Sequence, residues 1–142
     1  MIFALTLALG SLAHAADPSP VGLWKTIDDS TGKPRGMVEL FQEGGELKGR
    51  IVKTFPKPGE PENPVCDRCK GDRRGKPVIG MVFLWGLKVD GAGWSGGEIL
   101  DPDNGNIYSA KLELIDEGQK AKVRGFMGLS LLGRTQVWHR EK

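Results

Sequence analysis

Apolar and polar residues alternate along this chain in short runs, and no stretch sustains the apolar spacing of an amphipathic helix. Residues 22–27, 36–42 and 47–55 form the first runs; 78–87, 94–100, 107–115, 120–126 and 134–139 follow. Successive side chains of a strand point to opposite faces, so a strand covered on one side reads in this way. In 107–115, Tyr108, Ala110, Leu112 and Leu114 fall on one face. In 47–55, Leu47, Ile51 and Phe55 share a face opposite Lys48, Arg50 and Thr54. The run 78–87 is apolar almost throughout and predicts a strand buried on both faces.

Turn residues separate these runs: Asp28 to Gly32, Glu43-Gly44-Gly45, Asp90 to Gly93, Asp101 to Asn106 and Asp116-Glu117-Gly118. Asn104-Gly105 is a hairpin signal, and its surroundings lack the closing glutamate and flanking helices of a calcium-binding loop. The exception is 56–77, a proline-rich polar excursion too long for a hairpin and flanked by strands on both sides. Antiparallel strands with short connections close naturally into a barrel, which removes exposed edges. The expected fold is therefore all-β, an eight-stranded antiparallel up-and-down barrel, with a β-sandwich as the alternative. A barrel of about eight strands is just wide enough to be filled by side chains or to hold one small ligand. The 21 glycines and 9 prolines among 142 residues suit either architecture.

The beginning of the chain stands apart. Residues 2–12 are apolar and precede Ala13-His14-Ala15, the small-x-small pattern at which a signal peptidase cuts. The run is far short of the ~20 residues of a membrane span, and no later stretch reaches that length. Residues 1–15 are thus read as a cleaved signal peptide and 16–142 as one domain, delivered to the periplasm or beyond the cell. The net charge is +2, with 20 basic and 18 acidic residues interspersed, which argues against a nucleic-acid partner.

Three motifs carry a resemblance: Gly22-Leu23-Trp24-Lys25-Thr26, the segment Leu100 to Leu112, and the segment Val123 to Trp138. In this order they are similar to the bacterial exported domain of unknown function 2147, a family that looks like part of the calycin group of lipocalin-like barrels. That resemblance covers about Val21 to Trp138 and brings no defined activity, cofactor or ligand. It implies that Trp24, on the first strand, plugs one end of the barrel beneath a basic residue of the last strand. Arg134 and Arg140, beside Trp138, are the candidates for that closure.

Both cysteines lie in Cys66-Asp67-Arg68-Cys69. A C-x-x-C motif serves a redox centre, half a zinc site or a simple disulfide clasp. The neighbouring Arg68, Lys70, Arg73 and Arg74 would favour a thiolate, but Lys70 to Pro77 holds two glycines and a proline and makes a poor helix. Zinc needs more ligands than His139 and this pair supply. A clasp in an oxidising compartment needs nothing further. The basic run suits either a solvated loop or recognition of an anion.

Catalysis finds little support, since no Gly-x-Ser-x-Gly elbow is present and paired carboxylates occur only in turns. The expected function is binding of a small amphipathic or anionic molecule inside the barrel, without enzymatic activity, cofactor or metal. Candidate ligand contacts are Trp85, Tyr108, Arg124, Phe126, Arg134 and Gln136. The competing readings are a filled barrel that serves as an envelope protein-interaction module, and a thiol-disulfide protein using Cys66 and Cys69.

Overall fold

The computed structural model describes residues 18–128 and 132–141, so the segment read as a signal peptide lies outside the described residues. Eight strands follow one another: β1 (Gly22–Ile27), β2 (Pro34–Glu43), β3 (Glu46–Thr54), β4 (Val82–Asp90), β5 (Gly93–Leu100), β6 (Ile107–Ile115), β7 (Lys120–Phe126) and β8 (Gly133–Arg140). Each pairs antiparallel with its sequence neighbour, and β1 meets β8, so the sheet closes into a barrel in the order β1 to β8. The seam between first and last strands is short, pairing Trp24 with Arg140 and Lys25 with His139.

The two ends of the barrel differ. At one end, Trp24, Leu40, Leu47, Leu84 and Leu87 are fully or almost fully buried and fill the interior. Trp24 donates its indole N–H to the carbonyl of Pro20 at 2.9 Å, and the guanidinium of Arg140 lies 4.3 Å from its ring centroid. Of the two arginines expected to close the barrel, Arg140 does so; Arg134 sits at the opposite end, beside Asp29 at 3.4 Å. Gly22 explains the first position of the Gly-x-Trp motif: its φ is +137°, and a Cβ there would press on the Arg140 guanidinium at 3.2 Å.

Two irregularities change which side chains enter the barrel. A register shift between Met37 and Val38 leaves Val52 without a partner, so Ile51 pairs with Val38 but Thr54 pairs with Gly36. The extra residue re-phases the strand: Thr54 turns to the lumen, whereas Phe55 lies outside the cavity wall with the Lys53 ammonium 5.2 Å from its ring centroid. The expected common face of Leu47, Ile51 and Phe55 is therefore broken at the bulge.

The run 78–87 is likewise not one strand. Gly80 adopts φ +91°, and the amide of Met81 bonds back to Val78, so a turn precedes β4. Within β4, Gly86 at φ +75° breaks the alternation again. Phe83, Leu84 and Leu87 are buried, but Trp85 is only partly so.

Candidate functional site

The half of the barrel opposite Trp24 is open. It holds a cavity of about 980 Å³ walled by apolar side chains that include Val38, Ile51, Ile99 and Val123. Trp138 is its floor, buried to 1% exposure, with Phe83 tilted against it at 5.9 Å between ring centroids. Along β8 the inward positions step from Arg134 at the rim, through Gln136, to Trp138. Two-residue steps along a strand are roughly 6.8 Å apart, so Gln136 sits well below the mouth. Gly125 also lines this space; a Cβ there would press on Ile99 at 3.3 Å and touch the Tyr108 Cβ at 3.7 Å, so the glycine lets the wall close up beside Tyr108.

The excursion between β3 and β4 lies over the mouth as a lid, contributing Pro61, Pro64 and Val78 to the cavity wall. Three sets of contacts fasten it. Arg35 on β2 grips Glu60 with both terminal nitrogens, at 2.9 and 3.1 Å. Lys57 pairs with Asp28 of the β1–β2 turn at 2.8 Å. Farther along, Val65 bridges to Pro77, and Cys66 and Cys69 form a disulfide.

That clasp seats on the β5–β6 turn. Both cysteines are buried, and a side chain at Gly105 would collide with the carbonyl of Arg68. The turn is the hairpin that Asn104-Gly105 predicts, with Gly105 at φ +75° and its amide bonded to the Asp101 carbonyl at 2.7 Å.

Charge at the mouth is mixed and largely paired. The Lys57 ammonium beside Asp28, reinforced by the Ser30 hydroxyl, holds the Asp28 carboxyl well below the usual carboxylate range. The backbone N–H of Lys57, followed by Arg35, lowers Glu60 in the same direction. By contrast the basic run of the clasp is exposed: among the described residues Arg68, Lys70, Arg74 and Lys76 have no carboxylate partner.

The six expected ligand contacts separate into two sets. Tyr108, Arg134 and Gln136 line the cavity. Trp85, Arg124 and Phe126 do not, and this corrects the expectation. Trp85 stands on the outer wall, donating to Glu98 at 3.3 Å with the Arg73 guanidinium 4.5 Å above its ring. Arg124 donates to Thr135 at 2.9 Å on the outside of β7 and β8. Phe126 lies beneath the Lys111 ammonium on that outer surface, 5.7 Å away. The physical reason is phase: Ala121, Val123 and Gly125 are the inward positions of β7, so Arg124 and Phe126 point out. Arg35, Lys53 and Glu60 were not anticipated at the mouth; the signal available was that both flanks of the long excursion, like the β1–β2 and β5–β6 turns, belong to one end of a meander. Among the described residues, no group of three His, Cys, Asp or Glu is arranged to hold a metal ion, and no helix is long and apolar enough to cross a membrane.

A closed eight-stranded antiparallel barrel, plugged by a Trp–Arg pair at one end and open at the other, defines the lipocalin-like class. Its likeness to a solved structure agrees: protein HP1028 from the human pathogen Helicobacter pylori, which belongs to the lipocalin family, superposes with a TM-score of 0.75 at 20% identity, over 88% of this chain and 84% of that one. At this identity the likeness establishes the fold alone. Residues 22–140 match the family described as an uncharacterized protein conserved in bacteria (DUF2147), and the chain belongs to that family. No curated protein matches the sequence.

Proposed function

We propose that this protein is a non-enzymatic, exported binding protein that holds one small amphipathic molecule, its apolar body in the barrel and its polar end towards the mouth. The observation that carries the reading is the cavity of about 980 Å³, apolar along its walls and bordered by a few polar groups. Ligand sites commonly occupy about 300–1,000 Å³ with this lining. Side chains fill the Trp24 end and leave a cavity above Trp138, which favours a ligand-holding barrel over a filled one. The burial of Cys66 and Cys69 shields both sulfurs from an attacking thiolate, which favours the clasp over redox chemistry. His139 is exposed on β8 near the closed end, far from any position to act as a base in the cavity. The test is native mass spectrometry of protein purified gently from the exported fraction of its host, followed by solvent extraction. A bound mass lost on denaturation supports the reading; protein that stays empty and binds none of a panel of amphiphiles refutes it.

A further inference from the structure

Two donor-only groups fix the orientation of the polar side chains in the cavity. An indole nitrogen and a backbone amide nitrogen can only donate. The Trp138 indole N–H points to Oε1 of Gln136 at 3.3 Å. The Gln136 amide is therefore oriented with its oxygen on the floor and its NH2 left over, and among the described residues that NH2 meets no acceptor. At the neighbouring wall, the backbone N–H of Asn106 donates to Oδ1 of Asn104 at 2.8 Å. The Asn104 NH2 is thereby turned towards the Tyr108 hydroxyl, 3.0 Å away, and the Asn106 NH2 reaches the same oxygen at 3.4 Å. With its oxygen receiving both amides, Tyr108 has its own O–H proton to offer.

Gln136 and Tyr108 thus both present donors to the cavity. The carboxylates at the mouth each face a donor already: Asp28 faces Lys57, Glu60 and Asp103 face Arg35, Asp29 faces Arg134, and Asp101 faces the amide of Asp103 at 2.9 Å. The hydroxyl of Thr54 is buried without a partner and can act either way, so it does not alter the balance.

We infer that the cavity selects amphiphiles whose polar group accepts hydrogen bonds and donates none, a carboxylate or an ester carbonyl, and that Gln136 and Tyr108 recognise it. This rests on the proposal that the barrel holds an amphipathic ligand. A headgroup that must donate, such as an alkylammonium, meets two donors and only the Thr54 hydroxyl as an uncommitted acceptor. Leaving its polar hydrogens unpaired in an apolar wall is unfavourable.

The experiment measures displacement of a fluorescent fatty acid by dodecanoate, methyl dodecanoate and dodecylammonium, each below its micellar concentration. Wild type is expected to prefer the acceptor-headed ligands over dodecylammonium by about tenfold or more. Gln136→Glu still accepts from Trp138 but sets a negative charge where the NH2 stood. Its expected effect is a loss of about tenfold or more for dodecanoate and a gain for dodecylammonium. Tyr108→Phe, a variant with less risk to the floor, is expected to weaken both acceptor-headed ligands several-fold. Equal affinity for the carboxylate and the ester identifies a carbonyl as the recognised group; preference for the carboxylate identifies the anion. Dodecylammonium binding as tightly as dodecanoate to wild type, or both variants retaining wild-type preferences, overturns the inference while leaving the binding function standing. If none of the three ligands binds, the ligand-holding reading fails and the inference with it.

Discussion

The guanidinium of Arg140 lies over the indole of Trp24, 4.3 Å from the ring centroid, and from there reaches three backbone carbonyls. Its Nε donates to Gly118 at 2.9 Å and its terminal nitrogens to Val21 and Ser19 at 3.2 and 2.6 Å. One side chain therefore ties the entering chain, the β6–β7 turn and the last strand to the plug. Arg140→Ala is expected to lower unfolding free energy by about 2–4 kcal/mol, from the lost cation–π contact and charge-assisted hydrogen bonds. Arg140→Lys keeps the charge but not the planar fork, so about half of that loss is expected. Urea denaturation followed by tryptophan fluorescence measures both, and a Lys variant equal to wild type would show that charge alone does the work.

The disulfide closes a loop of only three residues' separation, and short loops gain least from cross-linking. Replacing Cys66 and Cys69 together by serine is expected to lower global stability by about 2 kcal/mol or less. The local effect is larger, because the clasp carries the buried contact with the β5–β6 turn. Limited proteolysis should cut within 56–80 first in the double variant, while the barrel fragments stay intact.

Gly105→Ala attacks the same junction from the other side. The new Cβ would require φ +75° and would meet the Arg68 carbonyl, so the turn and the clasp must separate. A destabilisation of about 1–3 kcal/mol is expected, with accelerated amide exchange at Cys66 and Gly75, whose backbone bonds hold the clasp. Unchanged exchange there would argue that the lid is held by Arg35 and Lys57 alone.

Acid should loosen the lid. Asp28 and Glu60 both have folded-state pKa values below their ordinary ones. A depressed carboxylate pKa contributes stability that is complete above the unfolded value, roughly pH 4, and is lost as pH falls through the folded value. Fastening of the lid is therefore expected to be constant from pH 7 to about 5 and to weaken below roughly 4. Hydrogen exchange of 56–64 across this range measures it. Asp28→Asn and Glu60→Gln should each remove part of the pH dependence and raise exchange at neutral pH.

Gly125→Val tests the cavity directly. The added side chain would enter the space beside Ile99 and Tyr108. Weakened binding of dodecanoate is expected, with a destabilisation of about 1–3 kcal/mol from crowding against Ile99. Equal binding would place the ligand elsewhere.

Much of the architecture was legible because alternation and turn chemistry agree over most strands: the ranges of β1, β6 and β7 match the apolar runs closely. What the pattern could not supply was phase. Gly86 and the bulge at Val52 each reverse which side chains face inward, and neither leaves a mark on hydrophobicity alone. Trp85 drew attention as a large aromatic in an apolar run, yet an outer wall also accepts one when Arg73 and Glu98 cover it. On β7 the reverse held: Gly125, the least conspicuous residue, faces the cavity, and Phe126 beside it does not. Tyr108 lines the cavity as plain alternation implies because β6 is regular from end to end. The lid's role escaped sequence reasoning since it depends on partners far apart in the chain, Arg35 with Glu60 and Cys66 with Pro102.

The closed end also gathers the first and last described segments. Arg140 bonds Ser19, and the amide of Glu141 bonds the Leu23 carbonyl at 2.9 Å, so the first and last described segments leave the barrel side by side. Anything attached directly at Ser19 or Glu141 hangs from the plugged base and leaves the mouth facing away from its attachment. A surface-immobilised or dimer-fused form would keep the mouth turned outwards, and a permuted chain joining Glu141 to Ser19 by a short linker would keep the entrance clear with its new ends at the β2–β3, β4–β5 or β6–β7 turn.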